Sequence, residues 1–459
     1  MPSNLSIYLK MLAIISCLLA VVTISACGPI SREPGLSREP TDTQLPRTST
    51  PTPPPRVEAD NLSVHKDEEE SSWLVFGTIR NISEDGLSDL ELNVAVLDHE
   101  GETLAEGIFL PALRQLSPGD STAFKAEFTQ IDDASSPQKA SVKLESFLVS
   151  TVTPLQITVD EISARSNTWD GTTYLGYFTN VQMEYGQIRN VEAFMMNEDG
   201  TPFDSAKRVV TLSSVAPRGR VPFSVEFNDN FAEAWPDFYI DAVPSEEPSR
   251  RSPLWTVAEP QLFLTSQGLP YYLLEIKNTA FAPQTIEGIF TLTKGTEIFA
   301  VLPIRSPAPI AAKSSWFFTL EPGLSLPFEL RNDEQAISAL IPNVTLDPIE
   351  TRGVGDELIP IDLVIESVET IGGSIFFRGR VSNSTDQSLE NPVVYATLRD
   401  PSGMAISANS ERIVQAIPVG GSVDFTLSAR IPAEIEPNAL EFDLNAIALS
   451  ASGSIQEGD

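Results

Sequence analysis

The constraint that governs this chain is an internal repeat of about one hundred residues. One asparagine marks each copy: Asn81, Asn180, Asn278 and Asn383, at intervals of 99, 98 and 105 residues. A glycine follows 20 residues later in copies one, two and four (Gly101, Gly200, Gly403), and Gly295 follows after 17 in copy three. A second turn comes next: Pro118-Gly119, Pro217-Arg218-Gly219, Ala311-Ala312-Lys313 and Pro418-Val419-Gly420. Self-similarity at a fixed period means one structural unit used several times.

Within each copy the apolar pattern has period two. Val75, Gly77 and Ile79 alternate before Asn81. Tyr174, Gly176 and Phe178 do so before Asn180, Tyr272, Leu274 and Ile276 before Asn278, and Phe377, Gly379 and Val381 before Asn383. Past the second turn stand Phe124, Ala126, Phe128, then Phe223, Val225, Phe227, then Trp316, Phe318, Leu320, then Val423, Phe425, Leu427. Alternation of this kind puts one strand face on a core and the other toward water. No window has the 3.6-residue period of a long amphipathic helix. The reading is all-β: four tandem immunoglobulin-like sandwiches of six or seven short strands. They are placed at 57–152, 153–247, 254–347 and 358–450, with a tail at 451–459. Short proline-bearing joints predict a semi-extended row of separate units.

The marker residues have structural roles in this reading. The asparagines sit at strand ends, where the residue tolerates left-handed backbone and caps a turn. Gly77, Gly176 and Gly379 fall on the inward face and leave room for a bulky partner from across the sandwich. Asp98-His99-Glu100-Gly101 and Asn197-Glu198-Asp199-Gly200 read as hairpin turns. Gly77-x-x-x-Asn81, Val94-Ala95-Val96-Leu97-Asp98, Pro118-Gly119 and Phe124 resemble the FxLYD-type bacterial immunoglobulin-like domain. Gly379, Asn383, Leu398-Arg399-Asp400 and Gly403 resemble it again. Copy two keeps Gly176, Asn180 and Gly200 but has Asn197 for the acid; copy three lacks both glycine and acid. The resemblance implies a sandwich in a secreted or surface protein and implies no activity.

The N-terminus supplies an address. Lys10 precedes an apolar run, Met11 to Ile24, of signal-peptide length and short for a bilayer span, which takes roughly 20 residues. The run closes on Ser25-Ala26-Cys27-Gly28, which resembles a lipobox. That resemblance implies cleavage after residue 26 and a diacylglycerol thioether on Cys27. Residues 28–56 hold eight prolines among Ser, Thr and Arg, including the near-duplicate Ser31-Arg32-Glu33-Pro34 and Ser37-Arg38-Glu39-Pro40. Such a segment favours polyproline II at about 3.1 Å per residue and forms a tether. The reading is an extracytoplasmic protein anchored at the outer face of the plasma membrane, or in the periplasm or outer membrane of a diderm.

Charge and composition remove whole classes of function. The formal charge is −33. Cleavage removes Lys10 and no acid, so the processed chain is one unit more negative. That argues against nucleic acid or bare anionic lipid as a partner, since both need a basic face. The tight cluster Asp67-Glu68-Glu69-Glu70 lacks calcium-loop spacing and reads as a solvated loop. The cysteines are Cys17, in the segment removed, and Cys27. The only histidines are His65 and His99, neither at metal-ligand spacing with the other. No nucleophile elbow, phosphate loop or dinucleotide fingerprint is present. No catalytic residue, metal or cofactor is assigned. The favoured reading is a binding or scaffold protein whose partner is another extracytoplasmic protein or a polysaccharide. The alternative is a lipid-anchored hydrolase or carbohydrate-active enzyme with a loop-borne site. A solute-binding protein needs two α/β lobes, which the strand pattern contradicts. Cys27→Ala should abolish lipid labelling and move the protein to a soluble fraction; a wild-type chain that takes up no lipid, with a mutant still membrane-bound, contradicts the anchor.

Overall fold

A computed structural model describes residues 57–450, apart from 68–69, 132–136, 152, 167–170, 232–233, 246–254, 323–325, 332 and 348–357. Cys27, the leader, the proline-rich segment and 451–459 lie outside the described residues. The fold is all-β, a series of immunoglobulin-like sandwiches built from antiparallel pairs.

Each repeat has two sheets. In repeat one the first sheet runs Val57–Asp67, Ser72–Asn81, Ser121–Phe128. The second centres on Gly86–Leu97, flanked by Thr103–Phe109, Gln115–Leu116 and Lys139–Ser150. Repeat two has Thr172–Asn180 central in its first sheet and Tyr185–Met196 in its second. Repeat three has Pro270–Asn278 and Glu287–Lys294, and repeat four has Ser374–Ser382 and Leu389–Arg399. Repeat three also carries two short helices, Phe328–Arg331 and Glu334–Ser338, the second capped by Asp333. They lie in the connection between Ser315–Leu320 and Ile341–Leu346, where repeat four has a single 3-10 turn at Pro437–Ala439, a departure from the strands-only expectation.

The glycines face inward as alternation implies, but the bulky partner comes from the neighbouring strand of the same sheet and not from across the sandwich. Gly77, Gly176 and Gly379 each pair across the sheet with Phe124, Phe223 and Phe425. The phenylalanine ring lies over the glycine. A β-carbon would meet the ring at 2.7 Å in Gly77, 2.9 Å in Gly176 and 3.0 Å in Gly379. In repeat three the same register holds Leu274 opposite Phe318.

The asparagines differ from expectation in one respect. None of the four has a positive φ. Left-handed backbone is unnecessary, because the side chain itself makes the turn. Asn81 Nδ2 donates to the Asp85 and Leu116 carbonyls at 2.8 and 3.2 Å, and its Oδ1 accepts from Ser83 N at 3.0 Å. Asn180 bonds Glu184 O, Ala216 O and Gln182 N in the same way. Asn278 bonds Ala282 O, Ile310 O and Ala280 N. Asn383 bonds Gln387 O, Ile417 O and Thr385 N. All four are buried.

The repeats are not separate units on a string. The outer face of each first sheet packs on the outer face of the next repeat's second sheet. At junction one–two, Phe76, Ala112 and Ala123 meet Phe194, with Phe76 and Phe194 edge-on at 6.4 Å. At two–three, Leu175 shares a cluster with Ile289, Ile298 and Val301. At three–four, Leu273 packs with Ala405 and Ala408. The stacking residue falls one place before the inward marker in each copy: Phe76, Leu175, Leu273. The facing strand supplies Ala123, Pro222 and Phe317.

Repeat four has Arg378 and Asp424 at those places, both exposed, and Asp424 pairs with Arg380 at 2.9 Å. At the other end, repeat one has Ala95 and Lys143 where repeat two has Phe194 and Tyr239. The large apolar stacking residues are thus replaced at both ends of the array, by charge at Arg378, Asp424 and Lys143, although Ile108 and Val364 remain exposed on these faces. Asn180→Ala leaves two carbonyls and an amide without partners and should cost about 1–3 kcal/mol, read by urea titration. An unchanged midpoint contradicts the pinning role.

Candidate functional site

Each junction between repeats carries an ion pair of its own, while the other described ion pairs lie within single repeats. At one–two, Asn61 Nδ2 donates to Gly200 O and Ser63 Oγ to Pro202 O, both at 3.2 Å, and Lys207 pairs with Glu70 at 3.5 Å. His65 lies here, 6.0 Å from the Phe76 ring, and burial lowers its pKa. Asp204, on the Pro202–Ser205 strand, is pushed up to about 6 by burial. A hydrogen bond from Ser205 N opposes the rise, the Asp229 charge adds to it, and Lys125 and Lys207 oppose it.

At two–three, Arg165 reaches from an edge strand to Glu297 at 2.8 Å and to Ile298 O at 2.9 Å, with its guanidinium 4.3 Å over the Phe299 ring. Asp347 receives Ser213 N, Ser213 Oγ and Ser214 Oγ at 2.9, 2.6 and 2.8 Å. These contacts make each junction specific in register, where apolar packing alone could slide.

The three–four junction is concave. Tyr271 donates to Ile406 O at 3.0 Å, and Ala408 N to Thr319 Oγ1 at 2.9 Å. Arg430 forks onto Glu321 at 2.9 and 3.3 Å. Arg399 pairs with Asp443 at 2.8 Å and lies 6.0 Å from the Phe317 ring. Around these groups open a 240 Å³ cleft beside Glu321, Asn409 and Arg430 and a 170 Å³ cleft beside Phe317, Arg399 and Asp443. The Arg430 and Arg399 charges are matched by these carboxylates. The clefts offer hydrogen bonds and one aromatic face to a ligand.

Of the residues singled out in the sequence, Trp316 and Arg399 line the smaller cleft, while the turn acids, the inward glycines and the asparagines stay apart from both. Asp98 and Asp400 each organise their own hairpin turn. Asp98 Oδ1 accepts from Glu100 N and Glu102 N at 2.8 and 2.9 Å, Asp400 Oδ1 from Ser402 N and Met404 N at 2.8 and 2.9 Å. The Glu102 amide chiefly holds the Asp98 carboxyl below its ordinary value, and the Ser402 hydroxyl does so for Asp400. Repeat two moves the acid: Asp199 accepts from Thr201 N at 3.0 Å. Gly77, Gly176 and Gly379 lie against the cores, and Asn81, Asn180 and Asn383 close turns. His99 is on an exposed turn beside Glu100, and its repeat-one neighbour His65 sits at a junction. Among the described residues no group of three or more His, Cys, Asp or Glu side chains is placed to hold a metal. Trp316 and Trp73 pack in cores, while Trp235 is exposed against Tyr174.

The junction residues went unread in the sequence, although a signal existed. Trp73-Leu74-Val75-Phe76, Phe194-Met195-Met196 and Tyr271-Tyr272-Leu273-Leu274 are apolar at consecutive positions, which marks strands covered on both faces.

No family model and no curated protein matches this chain. Solved structures of Escherichia coli alpha-2-macroglobulin align with it weakly. The trypsin-activated form has 9% identity and a TM-score of 0.12, over 82% of this chain and 29% of that one. The native conformation has 10% identity and a TM-score of 0.12, over 86% and 28%. The elastase-activated form has 9% identity and a TM-score of 0.11, over 85% and 44%. The chain thus spans less than half of each of them.

The Asp204 shift has a definite sign. Its folded pKa lies above the unfolded value, so the folded state is favoured at acid pH. That advantage is lost as pH rises from about 4 through about 6. Asp204→Asn should flatten this part of the stability–pH curve and raise stability at pH 7, checked by denaturant titration across pH 4–8. A mutant curve parallel to wild type contradicts the burial of this carboxyl.

Proposed function

We propose that the chain is a non-catalytic lipoprotein of the cell envelope that serves as a displayed binding or scaffold protein. The observation that carries this reading is where the polar groups are used. Ionic and hydrogen-bonding side chains at the junctions lock one repeat onto the next, as Arg165, Asp347 and Arg430 do. A molecule whose polar side chains fix its own stacking is suited to holding surfaces at fixed spacing. The lipobox-like Ser25-Ala26-Cys27 supports an acylated anchor, and the proline-rich tether supports reach from a membrane. The turn pattern around Asp98 and Asp400 supports kinship with FxLYD-type domains. The partner is another extracytoplasmic protein or a polysaccharide, met through loops and strand edges. The strong negative charge keeps nucleic acid away.

Crosslinking on intact cells, followed by mass spectrometry, should capture a reproducible envelope partner. His65→Gln with His99→Gln should leave that capture and any cellular phenotype intact, while deleting one whole repeat should weaken both. Loss of phenotype from either histidine change, at normal folding and surface level, would point to a catalytic or metal site in repeat one and end the non-catalytic reading.

A further inference from the structure

Repeat four departs from the other repeats at one aromatic position. Three places before the inward marker, on the outer face of the first sheet, repeats one to three carry Leu74, Thr173 and Tyr271. Leu74 packs in the one–two junction, Thr173 is buried, and Tyr271 is buried with its hydroxyl on Ile406 O of the next repeat. Repeat four has Phe376 at that position, half-buried, with no described repeat over it. Among the described residues it joins none of the apolar clusters. Packing alone gives no account of a phenylalanine there.

Phe376 supplies the aromatic face of the 240 Å³ cleft at the three–four junction, with Thr319, Glu321, Ser374, Asn409 and Arg430 around it. Sites for drug-sized ligands run to roughly 300–1,000 Å³, so this cleft suits a single ring. Its rim is polar and only partly used. Arg430 forks onto Glu321 and reaches Ser374 Oγ with Nη1 at 3.2 Å, which leaves a hydrogen on each Nη. Asn409 Nδ2 gives one hydrogen to Ser428 O at 2.6 Å and keeps the other. Ser374 Oγ accepts from Arg430 and Thr319 Oγ1 accepts from Ala408 N, so both hydroxyls keep a proton to donate. The Glu321 oxygens have lone pairs beyond the two that Arg430 takes. Donors and acceptors thus surround one ring face, with charges that cancel. The flanking Arg378 is matched as well, by Glu369 at 3.8 Å.

This constellation discriminates among ligands. A phosphate or carboxylate would meet Glu321, and an ammonium group would meet Arg430. A peptide strand adding to the sheet edge is turned away too, because Asn409 already holds the Ser428 carbonyl of the edge strand Ser422–Arg430. A hydroxyl both donates and accepts, so a ring bearing several of them can use the whole rim. We propose that the cleft binds a neutral hexopyranose unit of a glycan, its C–H face on Phe376 and its hydroxyls shared among Arg430, Glu321 and Asn409. The charge of −33 acts in the same direction at long range, since it repels polyanionic glycans and leaves neutral ones unaffected. The Arg430–Glu321 fork then has two tasks, locking the junction and presenting rigid polar atoms to the sugar. This inference rests on the reading of the chain as a binding protein with a polysaccharide partner, and gives that partner a site and a class.

The test is ligand-observed NMR with titration calorimetry on the full chain. The probes are cellotetraose, maltotetraose and N-acetylchitotetraose, with tetragalacturonate as the anionic control. A neutral tetrasaccharide should bind with a Kd of millimolar order or below, and tetragalacturonate should not. Phe376→Ala should weaken that binding roughly tenfold, the worth of a good aromatic contact, with the denaturation midpoint nearly unchanged. Glu321→Gln leaves Arg430 unmatched and should let tetragalacturonate bind. Neutral binding that survives Phe376→Ala overturns the proposal, and so does a wild type that takes only the anionic probe. A wild type that binds none of the probes overturns it alone: a protein captured on intact cells then keeps the binding-protein reading, with a protein as the partner. New reducing-end signals from a bound tetrasaccharide would end the non-catalytic reading and leave the sugar site standing.

Discussion

Each sandwich is closed by one buried asparagine amide. A strand that ends inside a sandwich leaves carbonyls of two neighbouring turns pointing at each other with no water to satisfy them. The asparagine amide has two donors and one acceptor, and at this position it uses all three. In Asn383, Nδ2 reaches Gln387 O and Ile417 O at 2.8 and 2.9 Å, while Oδ1 accepts from Thr385 N at 2.9 Å. The backbone of the same residue bonds the second turn, with Asn383 N on Gly421 O and Gly420 N on Asn383 O, both at 3.0 Å. One residue thus ties the first sheet, the crossing to the second sheet and the return turn. Aspartate would place an unpaired charge there and lose both donors, and a hydrophobe would leave every partner unmet. That is why the residue recurs while the strands around it vary.

The stacking follows from this closure. Once each sandwich holds its two sheets in fixed register, the outer faces become rigid surfaces that can mate. Phe76, Leu175 and Leu273 occupy the same register position because the pinned strand sets it. Apolar contact drives burial, and directional contacts such as Arg165–Glu297 and Ser213–Asp347 select one arrangement. Arg378 and Asp424 then end the series, because a charged outer face gains nothing by losing its water. Head-to-tail faces of this kind would otherwise propagate without closing.

The fold was legible because sheet alternation is written locally. Val75, Gly77 and Ile79 point inward in the structure as their spacing implies, and so do Phe377, Gly379 and Val381. The turn acids Asp98 and Asp400 were legible for the same reason, since their partners lie within four residues. The asparagines were found by repetition, but their backbone was misread. Local propensity points to left-handed φ, and the actual role depends on carbonyls some 35 residues away. The junctions depend on residues more than a hundred positions apart, as in Arg165–Glu297, and no local rule pairs those. The terminal repeats hide in the sequence too: Arg378 is an ordinary surface arginine until it is aligned with Phe76 and Leu175.

If the amide is the element that closes each unit, the amides it accepts from must open only when the sandwich opens. Ser83, Gln182, Ala280 and Thr385 lie in surface turns, where exchange with solvent is ordinarily fast. Native-state hydrogen exchange of these four backbone amides is the direct measurement. Protection comparable to that of the central strands, lost together with them under denaturant, is the expected result. Exchange at the rate of the neighbouring hairpin turns would contradict the claim that the buried asparagine closes the sandwich.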